Sequence, residues 1–110
     1  MTVKDLAGKL GLNVLTGDTG LANEVKGGYT SDLLSDVMGH SKEGQVWVTL
    51  QTHRNILGIA TLKDLAAIIL VKGFLPDEDT IAVAVEEGVP LLSTKEQAFE
   101  ISGRLYELLK

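Results

Sequence analysis

Ala67-Ile68-Ile69-Leu70-Val71 is an apolar run with no polar residue interrupting it. A strand with one wet face alternates between apolar and polar side chains. A short unbroken run instead reads as a strand covered on both faces, as in parallel sheets with helices above and below. Two further segments have the same character, Val46-Trp47-Val48-Thr49-Leu50 and Val89-Pro90-Leu91-Leu92-Ser93, with Pro90 near a strand start where its missing N–H is tolerated. Parallel neighbours cannot be joined by tight turns, so the chain between these runs has to contain crossover helices.

Ile56-Leu57-Gly58-Ile59-Ala60 fits either period, and connection length decides between them. As a strand it could make only an antiparallel return across the polar segment Gln51 to Asn55. A helix from Asn55 to about Asp64, capped by Asn55, completes a βαβ unit and is the preferred reading. Gly73 and Pro76 then mark a loop, Asp77-Glu78-Asp79 supplies negative charge to a helix N-terminus, and Ile81, Val85 and the neighbouring alanines give that helix its buried side before Gly88 closes it. Thr94-Lys95-Glu96-Gln97 has capping-box spacing, and Ala98, Ile101, Leu105, Leu108 and Leu109 stripe a terminal helix. From residue 45 the expected order is therefore β-α-β-α-β-α. The predicted fold class is α/β, a mainly parallel, right-handed sheet with helices on both faces, in a single domain over residues 1–110.

Upstream, Val3, Leu6, Ala7 and Leu10 lie on one helical face behind Thr2 as N-cap, with Gly11 as the stop. Leu12 to Leu15 reads as a short strand and Thr16-Gly17-Asp18-Thr19-Gly20 as a turn. That turn lacks the Gly-Lys-Ser/Thr ending of a phosphate loop. Val25 to Ser31 reads as a strand whose Gly27-Gly28 pair forms a bulge or admits another backbone. Asp32 to Met38 follows as a helix capped by Asp32 and stopped by Gly39; Asp32, Asp36 and His40 offer too few oxygens for a metal site, so none is assigned.

Composition removes whole classes of function. There is no cysteine, which excludes disulfides, thiolate catalysis and cysteine-ligated metals. A net charge of −5 with ten scattered Lys and Arg argues against nucleic acid as a partner. No apolar stretch is long enough for a membrane span, and Met1 to Asp5 does not begin a secretory signal, so a cytoplasmic location is expected.

In open parallel sheets ligands bind beyond the carboxyl ends of the strands. Three polar clusters are expected there: Thr52-His53-Arg54-Asn55, Lys72-Gly73 and Ser93-Thr94. Arg54 and Lys72 would offer charge to an anion, and the helices following Asn55 and Thr94 would offer backbone N–H groups. The same residues also serve as ordinary caps and exposed loop positions. No catalytic residue is assigned, because His53 lacks a visible nucleophile and orienting partner.

These residues also carry a family resemblance. Pro76-Asp77-Glu78, Gly88-Val89-Pro90-Leu91 and Ser93-Thr94 match the framework of the DRTGG domain. In that family Gly-Asp-Arg ends one strand and Thr-Gly-Gly the next. Here Thr52-His53-Arg54 keeps only the arginine of the first motif, and Val71-Lys72-Gly73 only one glycine of the second. The chain thus resembles a module related to the N-terminal domain of bacterial HPr kinase/phosphorylase and found beside CBS domains in regulated pyrophosphatases. The resemblance implies a non-enzymatic regulatory or ligand-sensing role, a homodimer, and a nucleotide-like or phosphorylated small molecule as ligand, with no cofactor specified. The alternative is a subunit that docks on a protein partner, an enzyme or kinase, and has no small-molecule site.

Overall fold

The computed structural model describes residues 1–110. Helix α1 (Val3–Leu10) begins with a complete capping box: the Thr2 hydroxyl accepts from the Asp5 N–H, and the Asp5 carboxylate accepts from the Thr2 N–H. Gly11, at φ +67°, turns the chain out of the helix. Strand β1 (Asn13–Thr16) follows, then a short 3-10 turn over Asp18–Ala22, then β2 (Gly27–Thr30) and α2 (Leu34–His40). The remainder alternates as expected: β3 (Gln45–Thr49), α3 (Asn55–Leu62), β4 (Ala67–Leu70), α4 (Glu78–Glu87), β5 (Leu91–Ser93) and α5 (Ala98–Leu109). The ambiguous segment after Asn55 is a helix, although it ends at Leu62 and not near Asp64.

The five strands form one sheet in the order β1-β5-β4-β3-β2. Strands β2 to β5 run parallel, and β1 closes the far side antiparallel to β5. Period-2 alternation in the apolar strands supplies two cores. Val46, Val48, Ala67, Ile69 and Leu92 point to the layer formed by α1 and α5. Trp47, Ile68, Leu70 and Leu91 point to the layer of α2, α3 and α4. A core on each side of the sheet explains why the central strands are apolar on both faces along most of their length.

Several local expectations give way to longer-range bonds. Asp32 does not cap α2: Leu33 occupies that position without a side-chain cap, and the Asp32 carboxylate instead accepts from the Thr49 hydroxyl at 2.8 Å and the Leu50 N–H at 2.7 Å. The helix also passes Gly39 and ends at His40. Asn55 lies inside α3 and makes no cap bond. Thr94 does not cap α5, which starts only at Ala98; its hydroxyl accepts from the Glu96 N–H and its carbonyl from the Gly73 N–H, so these residues stay in the loop. In α4 the buried residues are Thr80 and Ala84, while Ile81 and Val85 are exposed. The Thr80 hydroxyl donates to the Thr52 carbonyl at 2.8 Å, which satisfies it on the buried side of the helix. Strand β2 pairs with β3 in continuous register, without a bulge. Gly28 makes room for a side chain and not a backbone, since a Cβ there would lie 2.8 Å from Leu105 Cδ2.

Candidate functional site

Parallel pairing sets the ends of β3, β4 and β5 side by side, with Thr49 opposite Leu70 and Leu70 opposite Ser93. The eight residues expected at the site lie at these strand ends, six in the loops that leave them, Ser93 as the last residue of β5 and Asn55 as the first of α3. The structure sorts these residues into two tied groups.

The first group joins the loop after β3 to the start of α4. The Thr52 carbonyl accepts from both the Thr80 hydroxyl and the Asp77 N–H. His53 Nδ1 lies 2.7 Å from an Asp77 carboxylate oxygen, which leaves the outer ring nitrogen facing away from this partner. Arg54 approaches Asp79 at 3.9 Å, a long and exposed contact that leaves most of the guanidinium donors free. The N–H groups of Arg54 and Asn55 have no acceptor within the protein, as the first amides of a helix do not.

The second group joins the loops after β4 and β5. Lys72 and Gly73 both have positive φ, +60° and +72°, and the Phe74 N–H bonds back to the Val71 carbonyl. Left-handed geometry at both central positions defines a type I′ turn. Glycine adopts it freely, whereas lysine is held there by the Lys72 N–H donating to the Glu96 carbonyl and the Gly73 N–H donating to the Thr94 carbonyl. The Lys72 ammonium makes no ion pair.

Six of the eight residues are therefore open to solvent in part or in full. Ser93 and Thr94 are buried, and the backbone N–H of Thr94 is spent on the Leu70 carbonyl. Sequence reading also missed three contributors. Asp77 holds His53, Glu96 anchors the lysine turn, and Asp32 closes the β3 end of the site, where Gln51 Nε2 donates to the Asp32 carbonyl. By sequence Asp77 and Asp32 both read as helix-start residues, and nothing in their spacing points across the sheet. Beside them, the Ser31 and Tyr29 hydroxyls hold the Asp36 carboxyl below its usual value. Burial and the Asp36 carboxylate raise that of Tyr29.

The arrangement can present cationic side chains and free amides to an anion. Neither of the two main cavities lies here. One follows α5 and the β2 edge, and the other lies around Asn23, Gly44 and Asp64 at the opposite ends of the strands. No helix is long and apolar enough to cross a membrane.

No curated protein matches the sequence. Among solved structures, the chain is similar to the crystal structure of the CBS and DRTGG domains of the regulatory region of Clostridium perfringens pyrophosphatase, complexed with its activator diadenosine tetraphosphate. The TM-score is 0.73 at 13% identity, over 94% of this chain. This chain spans 45% of that one. At this identity the likeness is one of fold. The sequence itself matches the DRTGG domain model over residues 5–108, so the chain belongs to the DRTGG domain family.

Proposed function

We propose that this chain is a non-enzymatic regulatory module, working as a homodimer, that senses a nucleotide-like or phosphorylated small molecule at the carboxyl ends of β3, β4 and β5. One observation carries the ligand reading. Arg54 with its long single contact, unpaired Lys72 and the free first amides of α3 stand on neighbouring loops at the end of the sheet where α/β proteins bind ligands. A shared fold with part of a regulatory region that was crystallised with diadenosine tetraphosphate is consistent with this, although the Gly-Asp-Arg and Thr-Gly-Gly motifs are largely replaced.

Calorimetric titration and thermal shift with adenine nucleotides, diadenosine tetraphosphate and phosphorylated sugars test the reading. Binding is expected for at least one of them, and Arg54→Ala or Lys72→Ala is expected to weaken it about tenfold or more, the scale of a lost charge-assisted hydrogen bond. Absence of heat and of thermal shift across the panel would exclude a small-molecule sensor of this kind.

A second reading, a subunit that docks on a protein partner, is favoured by Leu33, Phe74 and Leu75. These residues expose apolar surface on the loops after β2 and β4. Stoichiometric capture of one partner from the native host, abolished by Phe74→Asp with Leu75→Asp, together with a silent titration panel, would establish it.

A further inference from the structure

Helix α5 uses only part of its circumference. Ile101 and Leu105 are buried against the sheet. On the outer side Phe99 is 85% exposed and Tyr106 is 68% exposed. They stand two turns apart on one line of the helix, with Ser102 and Gly103 between them. A Cβ on Gly103 would meet nothing within 4 Å. The Ser102 hydroxyl is bonded to that of Thr30 at 2.7 Å, which sets the small pair beside β2, an edge strand with no further neighbour. A groove of about 1300 Å³ runs along this line, bounded by Gly28, Thr30, Phe99, Ser102 and Tyr106. That volume corresponds to roughly three turns of a helix about 10 Å across.

We propose that this groove is a self-association face, filled by α5 of a second copy running antiparallel about a two-fold axis through the Ser102–Gly103 pair. The proposal rests on the homodimer part of the reading above and assigns it a surface. The pattern of the helix selects the occupant. Aromatic, small, small, aromatic is its own reverse, so turning a second helix end for end lays its Tyr106 against Phe99 and its Phe99 against Tyr106. At the centre, small residues meet and let the backbones approach. A self-complementary patch is the requirement of an isologous two-fold contact, and a foreign peptide would need no such symmetry.

Antiparallel helix dipoles are favourable neighbours. The contact would shield the β2 edge from irregular strand pairing.

The absence of cysteine makes the test direct. Gly103→Cys introduces one thiol per chain at the axis, and mild oxidation is expected to yield a disulfide-linked dimer rapidly. Ser35→Cys, on exposed α2, is expected to remain unlinked. Light scattering of the wild-type chain is expected to give twice 11.8 kDa. Phe99→Glu and Tyr106→Glu, both at exposed positions, are expected to keep the wild-type circular dichroism and weaken the dimer about thirtyfold or more, as loss of an interface anchor does. A dimer that ignores both variants and forms no Gly103→Cys link would overturn this face while leaving the homodimer standing. A wild-type monomer would overturn both. The Arg54 and Lys72 titrations are independent of either outcome.

Discussion

Gly17 is the glycine whose replacement the fold tolerates least. It sits at φ +93°, and a Cβ there would come within 2.4 Å of Pro90 Cα, a backbone atom that cannot swing aside. Gly58 is its opposite: it lies in the exposed interior of α3 with open space around it. Gly17→Ala is therefore expected to cost about 3 kcal/mol or more, combining left-handed strain with overpacking. Gly58→Ala is expected to gain about 0.5–1 kcal/mol by relieving helix-interior flexibility. Urea unfolding followed by the fluorescence of Trp47, fully buried and the only tryptophan, checks both. That residues 16 to 20 form a turn was legible from their types. That Gly17 carries the close approach to Pro90 was not, because the two are far apart in the sequence.

At the scale of elements, polar side chains tie one segment to another more often than they cap their own helix. Asp32 joins the loop after β2 to the end of β3, and the Thr49 hydroxyl that it accepts from belongs to a residue only 1% exposed. Asp32→Ala would leave that donor unsatisfied and is expected to cost about 1–3 kcal/mol, where loss of a simple helix cap would cost about 1. Asp32→Asn keeps an acceptor oxygen and is expected to recover part of the loss, so the pair of variants compared by thermal unfolding separates a tie from a cap. The Thr80 hydroxyl likewise ties α4 to the loop after β3, by donating to the Thr52 carbonyl. Periodicity placed Ile81, Val85 and the neighbouring alanines on the buried side of α4, and of these only Ala84 is buried, beside Thr80.

For the whole molecule, ionisable groups set the pH window of stability. Asp5, held by the Thr2 amide, Asp36, held by the Ser31 and Tyr29 hydroxyls, and Glu43, held by Lys26, all have folded values below their usual 3.8, 3.8 and 4.5. Each contribution is full above the usual value and disappears as pH falls through the depressed one. Tyr29 and Lys26 are raised above 10.0 and 10.5, and their contributions are lost as pH rises through the raised values. A stability plateau between about 4.5 and 10 is expected from these five groups, falling at both ends. Asp36→Asn is expected to make the acid limb shallower, read as the melting temperature measured from pH 6 down to pH 2.5. The sequence by itself determined the strands β3, β4 and β5, the helix after Asn55 and the resemblance to the family, because a strand buried on both faces is apolar along most of its length and a crossover has to be long. Tertiary structure alone decided that β1 joins the sheet antiparallel beside β5, that Asp32 and Thr94 bond outside their helices, and that Asp77 holds His53. A local amide and a remote donor differ by only about 1 kcal/mol as partners for an oxygen, so the choice falls to whichever group the packed sheet brings within reach.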